Sequence, residues 1–270
     1  MKNKFLALLV LFFFMNTSLF AGWIITQQTY DSDQGIEEAV IETIYLQNNI
    51  MKVVQNDLIT VFDLNKETII VMNQQRQVYW TGKVSDYKTE IKAAMQTAME
   101  EQLKNATEGQ KEMIKKMYTS MMESVDNPSK FAEEEPEEYD LQIEKTQEKE
   151  KIAGYTAVKY KVVVNGAIKE EAWLSESNRA HSEFDVVKFY QVFGDFTSQA
   201  ESIQYYQKND KYTEFSKLGF PLKSIYYYGG YETISEITSL EKKSLSESDF
   251  TPPSNYKKVN LMEIGLNGQE

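Results

Sequence analysis

The chain of 270 residues contains no cysteine. This absence excludes disulfide bridges, thiolate zinc sites, iron–sulfur ligation and a cysteine nucleophile. It also excludes anchoring through a lipid-modified N-terminal cysteine. The folded state must therefore rest on a hydrophobic core, and a chain of this length can build a substantial core without cross-links.

Histidine is almost as scarce, since His181 is the only one. A metal centre built from several histidines is therefore impossible, and a Ser-His-Asp triad would have to use His181. No Gly-x-Ser-x-Gly motif supplies a nucleophile for such a triad, and calcium loops and glycine-rich phosphate loops are missing as well. We predict no catalytic residue, no metal and no cofactor.

Positive charge is in deficit, because 29 Lys and Arg stand against 41 Asp and Glu for a formal net charge of −12. Such a chain repels nucleic acid and anionic lipid surfaces on average. Glycine and proline are also few, with 12 and 5 copies, whereas 13% of the residues are aromatic. This composition is typical of a globular protein with a large apolar core.

Residues 1–21 are typical of a secretory signal peptide. Lys2 and Lys4 precede an apolar run at residues 5–15, and the small residue Ala21 ends the segment. The run is too short for a membrane-spanning helix, which needs about 20 apolar residues. We expect cleavage after Ala21 and a soluble periplasmic or secreted protein; retention as an N-terminal anchor is the alternative.

The chain then alternates between strand and helix patterns. Residues 22–82 and 139–175 show short β-branched and aromatic runs separated by turn residues, and strands return after residue 222. Such spacing predicts antiparallel hairpins, most clearly around Asn165 and Gly166. We predict one α+β domain over residues 22–270 with a curved antiparallel sheet, a helical insertion at about 85–125 and an acidic loop at about 126–138.

Methionines mark the predicted helical insertion. Met95 and Met99 recur with helical spacing in its first half, and Met113, Met117 and Met121 do so in its second half. Flexible thioether side chains adapt to irregular apolar shapes, so these residues are candidates for the soft wall of a hydrophobic site. The alternative is a methionine face that packs permanently on the sheet as ordinary core.

Aromatic side chains are the second candidate binding surface. Trp80 and Trp173 are candidates for a rigid wall facing the methionines. Tyrosine-rich strands, such as residues 226–228, could instead form an envelope interaction module for protein or glycan, although plain strand propensity also explains them. A hydrolase with paired carboxylates is a further alternative, since 41 acidic residues guarantee some close pairs.

Several segments resemble the DUF4412 family. The likeness is carried by residues 48–52, 58–64 and 69–79 near the start, by residues 152–155, 159–160 and 171–174 in the middle, and by residues 219–222 with Phe250, Pro253 and Tyr256 near the end. The cysteine that some members carry after the Gly-Tyr pair is absent, and Ala157 stands in that region.

The resemblance implies a relative of the LolA-like periplasmic lipoprotein carriers, in which an incomplete antiparallel barrel encloses an apolar hollow beneath helices. It supplies no catalytic residue. We therefore predict a non-catalytic, extracytoplasmic carrier of a lipid or acyl chain, held between a curved sheet and a methionine-rich helical lid. The expected partner is a hydrophobic small molecule, without nucleic acid and without a membrane anchor after cleavage.

Overall fold

The structure of the protein is a computed structural model that describes residues 21–126, 138–197 and 205–265. The described strands form a single sheet and are β1 (Ala21–Asp31), β2 (Val40–Gln47), β3 (Ile50–Gln55), β4 (Leu58–Asp63), β5 (Thr68–Asn73), β6 (Val78–Lys83), β7 (Leu141–Ile152), β8 (Tyr155–Val164), β9 (Ala167–Leu174), β10 (Pro221–Tyr228), β11 (Tyr231–Ser244) and β12 (Lys257–Lys258). The α-helices are α1 (Val84–Lys104), α2 (Glu108–Asp126), α3 (Val186–Thr197) and α4 (Asp210–Ser216).

The sheet is open and almost wholly antiparallel. Its order is β12-β6-β5-β4-β3-β2-β1-β11-β10-β9-β8-β7, so β12 and β7 form the two edges. Only β12 runs parallel to its neighbour, β6. The prediction of an incomplete antiparallel barrel with helices is confirmed by this arrangement.

Tight turns with left-handed residues connect most of the hairpins. Asn165 and Gly166 have φ angles of 50° and 77°, and Asn48 and Asn49 have φ angles of 50° and 61°. Two-residue turns with positive φ match the right-handed twist of the flanking strands, and asparagine and glycine tolerate this conformation best. The Asn165–Gly166 hairpin predicted from sequence is therefore confirmed.

One face of the sheet, which we call the inner face, carries the main core and packs against α1 and α3. Paired residues of neighbouring antiparallel strands point to the same side, so Ile25 and Ile44 share this face with Leu240. A flat sheet of this width would span about 50 Å at about 4.8 Å per strand. Its inner-face residues nevertheless join one cluster around Phe184, Phe189 and other helix-side residues, so the sheet curves around them.

The opposite, outer face is covered over β3–β6 by a C-terminal segment. Leu245 and Phe250 pack there against Ile59, Val61 and Met72. The sequence shows apolar residues at both parities in these strands, and the structure explains this pattern because both faces are covered. Edge strand β7 is mostly exposed and rich in charge, which protects an open edge from pairing with another chain.

Helix boundaries follow the sequence pattern with small differences. Thr107 stands directly before α2, whereas Ser85 lies inside α1 and does not cap it. The α1 start is closed instead by Asp86, whose carboxylate accepts a hydrogen bond from the Lys83 amide at 2.8 Å. Helices α3 and α4 lie outside the predicted helical insertion.

Some sequence predictions fall on residues outside the described ranges. The signal peptide at residues 1–21 lies outside them except for Ala21, and so does nearly all of the acidic loop at 126–138. Among the helices that the structure does describe, none has the length and apolar character needed to cross a membrane.

Candidate functional site

The helical hairpin of α1 and α2 is fastened to the sheet at its base. The Trp80 indole donates a hydrogen bond to Glu90 Oε1 at 2.8 Å, and the Leu261 amide donates to Glu90 Oε2 at 2.9 Å. Glu90 of α1 thus joins β6 to the C-terminal turn. The Trp80 and Tyr87 rings meet edge to face at 5.8 Å, and burial raises the pKa of Tyr87.

The remainder of the hairpin is held by contacts between its two helices. Helix α1 contacts β6, α3 and the turn Leu261–Ile264, whereas the main partner of α2 is α1. Lys92 of α1 pairs with Asp126 at the end of α2. The buried side chains of α2 are Tyr118 and Val125. Since its buried side is used against α1, its other sides face outward.

Three of the four methionines of α2 lie on this outward side. Met113, Met117 and Met121 are 73%, 47% and 44% exposed, and we call these three residues the methionine face. Met95 and Met99 of α1 are half-buried. We expected all five to face the sheet, but the structure places the three on α2 at the surface. Their role in ligand binding stays a prediction.

The two predicted tryptophan candidates both belong to the main core cluster, and their role in ligand binding stays a prediction. Both are buried, but seven strands separate β6, which carries Trp80, from β9, which carries Trp173. The Trp173 ring is flanked by the ammonium groups of Lys159 and Lys223 at 5.0 and 5.2 Å from its centroid. Trp173 therefore belongs to a charged cluster in which Lys159 also pairs with Glu171 at 2.8 Å.

Aromatic rings fill the space between the inner face and α3. Phe62 of β4 lies 5.2 Å from Phe189 and 5.3 Å from Phe193, measured between ring centroids. Phe184 adds a further ring at 5.4 Å from Phe189. Edge-to-face packing of this kind stabilises a core beyond the area it buries. This part of the inner face is thus closed by side chains.

A buried carboxylate under α4 is a feature that the sequence did not reveal. Glu170 of β9 is completely buried, and its Oε2 accepts a hydrogen bond from the Tyr212 hydroxyl at 2.9 Å. Its Oε1 has no hydrogen-bond partner in the described part of the chain. Burial raises the pKa of Glu170 to about 7, against the lowering effect of the Tyr212 and Gln207 side chains. Because side chains alternate along β9, the sequence predicts that Glu170 and Glu171 lie on opposite faces of the sheet. It does not predict which of these two residues lies under a helix.

A cavity of about 430 Å³ opens on the outer face, and we call it the outer-face cavity. It lies between the ends of strands β2–β6 and the turn at residues 246–251. Its lining residues are Gln47, Asn48, Ile50, Val61, Asp63, Lys66, Thr68, Ile70, Thr81, Ser246, Glu247, Phe250 and Thr251. This cavity could not be predicted from the sequence, because its two walls are nearly 200 positions apart in the chain.

The wall formed by the turn is held rigidly. The Ser246 amide and hydroxyl donate to Asp249 Oδ2 at 2.6 and 2.7 Å, and these bonds hold the pKa of Asp249 below its usual value. Lys52 of β3 donates to the Asp249 carbonyl at 2.8 Å while lying over the Tyr45 ring. Burial lowers the pKa of Lys52, although Asp249 opposes that effect.

The lone histidine does not form a catalytic dyad. Nδ1 of His181 is buried and accepts or donates no hydrogen bond within residues 21–126, 138–197 and 205–265. A triad histidine needs an acidic partner at that atom. In the same described ranges, no three Asp, Glu or His side chains come together as potential metal ligands.

Comparison with known proteins identifies one family. The model of the family "Domain of unknown function (DUF4412)" matches residues 66–256, which is more than two thirds of the chain. No curated protein matches the chain significantly.

Solved structures show only a distant likeness. The MucA/MucB complex of Pseudomonas aeruginosa matches at 12% identity and a TM-score of 0.37, over 88% of this chain and 58% of that one. MucB in complex with MucA(peri) gives 11% identity and 0.36, over 88% and 57%. PNGF-II in space group C2 gives 10% identity and 0.35, over 90% and 32%. The chain thus spans less than two thirds of these proteins, and TM-scores this low carry no functional argument.

Proposed function

The chain belongs to the DUF4412 family, and from this starting point we propose that it is a non-catalytic, extracytoplasmic binding protein for a hydrophobic ligand such as a lipid or acyl chain. The observation that carries the proposal is the methionine face. Three long apolar side chains, Met113, Met117 and Met121, stand exposed in one row on α2. Water-exposed apolar rows of this kind mark surfaces that become covered by another apolar group.

The chemistry of methionine suits a ligand of variable shape. An unbranched thioether side chain repacks readily around acyl chains of different length and saturation. Each buried CH₂ of a ligand contributes about 0.8 kcal/mol. Useful affinity therefore needs no catalytic group and no charge pair.

The hairpin geometry supports a lid. Its base is fixed through Glu90 to Trp80 and Leu261, whereas the methionine-bearing part of α2 is supported mainly by α1. A ligand that covers the methionine face would also meet the half-buried Met95 and Met99 if the outer ends of the helices part. The undisturbed Glu90 contacts would keep the base in place during this movement.

Lipid extraction tests the proposal directly. The protein without residues 1–21 is purified from cells, extracted with organic solvent and analysed by mass spectrometry. We expect a co-purifying lipid or fatty acid and saturable binding of a fluorescent fatty-acid analogue. An empty extract together with no binding of the analogue refutes the proposal.

Substitutions on α2 locate the site. In the triple variant Met113→Gln, Met117→Gln and Met121→Gln, each change removes roughly 1 kcal/mol of apolar contact on average, since the three side chains are 44% to 73% exposed beforehand. Binding of the analogue should weaken about 100-fold.

The matched control changes the polar side of the same helix at the same spacing. Glu112→Gln, Lys116→Gln and Ser120→Gln alter three exposed residues. This control should bind the analogue as the unmodified protein does. Equal weakening in both triple variants would show that α2 stability, not the methionine face, governs binding.

A second candidate function rests on exposed tyrosines. Tyr228 and Tyr231 are 49% and 63% exposed and flank the Gly229–Gly230 turn between β10 and β11. Tyrosines at a hairpin tip suit recognition of a protein or glycan. A partner that binds the protein but not its Tyr228→Ser, Tyr231→Ser variant, in the absence of bound lipid, would favour this function over lipid carriage.

A further inference from the structure

We propose that the methionine face is also a redox switch: hydrogen peroxide oxidises Met113, Met117 and Met121 to sulfoxides, and the hydrophobic ligand is released. The switch rests on the proposed function, because it acts by changing the polarity of the same surface. It adds a modification site and a means of controlling binding.

The methionines of the chain differ sharply in exposure. Of the 11, Met1 and Met15 lie in the predicted signal peptide, and the others lie in the described ranges. Four of these others are exposed, and three of the four form the methionine face. The fourth is Met262, near the C-terminus, whereas Met72 is buried in the outer-face core. Peroxide in solution therefore reaches the methionine face before the core.

The oxidation itself needs no catalytic group. A lone pair of the methionine sulfur attacks one oxygen atom of hydrogen peroxide, the O–O bond breaks, and an S–O bond forms. The sulfur atom loses two electrons, which the peroxide gains. The departing hydroxide takes the proton of the transferred oxygen and leaves as water. The sulfoxide product is polar, whereas the methionine side chain is apolar.

The helical spacing makes the three methionines act together. Residues four positions apart are separated by about 6 Å along the helix axis, since each residue rises about 1.5 Å. Three sulfoxides therefore replace one continuous apolar row with polar groups that must lose water when a ligand covers them. We expect binding to weaken about 100-fold, as in the triple glutamine variant.

The packing of α2 does not depend on the oxidised side chains. Its buried side chains are Tyr118 and Val125, and Lys92 of α1 pairs with Asp126 at its end. The methionine face lies on the exposed side, so its sulfoxide oxygens remain in water. A loss of binding after oxidation should therefore occur without unfolding of the hairpin.

Peptide mass spectrometry tests which methionines are oxidised. The protein without residues 1–21 is treated with millimolar hydrogen peroxide, and the oxidised fraction of each methionine is followed over time. We expect Met113, Met117, Met121 and Met262 to react first and the buried Met72 last, while circular dichroism shows unchanged helix content. Oxidation of Met72 as fast as that of the methionine face would contradict the assignment.

Binding of the fluorescent fatty-acid analogue tests the consequence. The analogue should bind the untreated protein and should bind about 100-fold more weakly after the methionine face is oxidised. Treatment with methionine sulfoxide reductases, one for each sulfoxide epimer, should restore binding.

Two leucine variants assign the effect to the methionine face. Leucine resembles methionine in volume and in helix propensity, but peroxide does not oxidise it. The triple variant Met113→Leu, Met117→Leu and Met121→Leu should bind the analogue equally well before and after peroxide. The matched control is Met262→Leu, because Met262 is 40% exposed and Met121 is 44% exposed. Binding by this control should remain sensitive to peroxide.

Three outcomes would overturn the switch while leaving the proposed function intact. These are unchanged affinity after oxidation of the methionine face, equal loss of affinity in the triple leucine variant, and protection of binding by Met262→Leu. If the untreated protein does not bind the analogue at all, the proposed function fails and the switch fails with it. That result is distinguishable because it is obtained before any peroxide is added.

Discussion

Replacing Glu170 with glutamine should stabilise the protein at alkaline pH but not at acidic pH. Glu170 is buried beneath α4, and burial outweighs the Tyr212 and Gln207 side chains, so the folded state favours the protonated acid. The unfolded chain exposes the carboxyl to water and lets it ionise at its ordinary pKa. Glutamine offers a carbonyl acceptor to Tyr212 and carries no charge at any pH.

The size of the effect follows from the two pKa values. Burial raises the pKa of Glu170 from 4.5 to about 7, and at about 1.4 kcal/mol per unit this gap corresponds to roughly 3 kcal/mol. Between these values the folded state binds more protons than the unfolded state, so the free energy of unfolding falls as pH rises. Below pH 4.5 both states are protonated, and above pH 7 the loss is complete.

Urea unfolding followed by tryptophan fluorescence measures this effect. The difference in unfolding free energy between Glu170→Gln and the unmodified protein should grow by roughly 3 kcal/mol between pH 4.5 and pH 8. Taking the difference removes the contribution of every other titrating group. The same change at the neighbouring Glu171, which pairs with Lys159 at 2.8 Å on the other face, should destabilise the protein instead. A difference for Glu170→Gln that is the same at both pH values would refute the reasoning.

Four further changes test the core, the hairpin base and helix α2. Phe62→Ala should lower the free energy of unfolding by about 3–5 kcal/mol, measured by urea unfolding, because it leaves a cavity between three packed rings. Glu90→Ala should lower it by about 1–3 kcal/mol and should shift the indole N–H signal of Trp80 in NMR spectra, since that group loses its acceptor. Gly82→Ala should destabilise the protein by about 1–3 kcal/mol because the added Cβ would lie 2.6 Å from the Trp80 ring. Gly109→Ala should stabilise the protein by about 0.5 kcal/mol in the same urea assay, because the added Cβ meets nothing within 4 Å. Equal effects of the two glycine substitutions would contradict the packing argument.

The strands of the sheet could be predicted from local sequence because their signals are local. Asn165 and Gly166 adopt the positive φ angles that their residue types favour, and the alternation in β4 is plain in Leu58–Asp63. Which strands become neighbours could not be predicted, because the pairing of β1 with β11 depends on residues far apart in the chain.

The methionine helices show what periodicity can and cannot establish. Helical spacing correctly groups Met113, Met117 and Met121 on one side of α2. It does not say which side packs, and the structure buries Tyr118 and Val125 instead. An aromatic ring and a branched aliphatic side chain bury well at a fixed interface, whereas the flexible methionines remain at the surface.

The charged and polar features of the candidate sites escaped sequence reasoning for a similar reason. Glu170 is one of 41 acidic residues, and its adjacent residues in the sequence do not indicate that it is buried. Its burial becomes evident only when the fold places Tyr212 over it. The outer-face cavity likewise exists only because the turn at residues 246–251 packs over β2–β6. Long-range contacts, not residue types, create both features.

The central position of β1 has a consequence for how the protein folds. β1 joins the half of the sheet built from β2–β6 to the half built from β7–β11, and its residue Thr29 bonds to Ser235, 206 positions further along the chain. During synthesis, β1 can therefore pair with β11 only after nearly the whole chain has been made. Such high contact order makes folding slow and leaves a long strand edge open in the meantime. We expect refolding on the timescale of seconds, with a window in which the unpaired β1 edge is the natural target for chaperones and for aggregation.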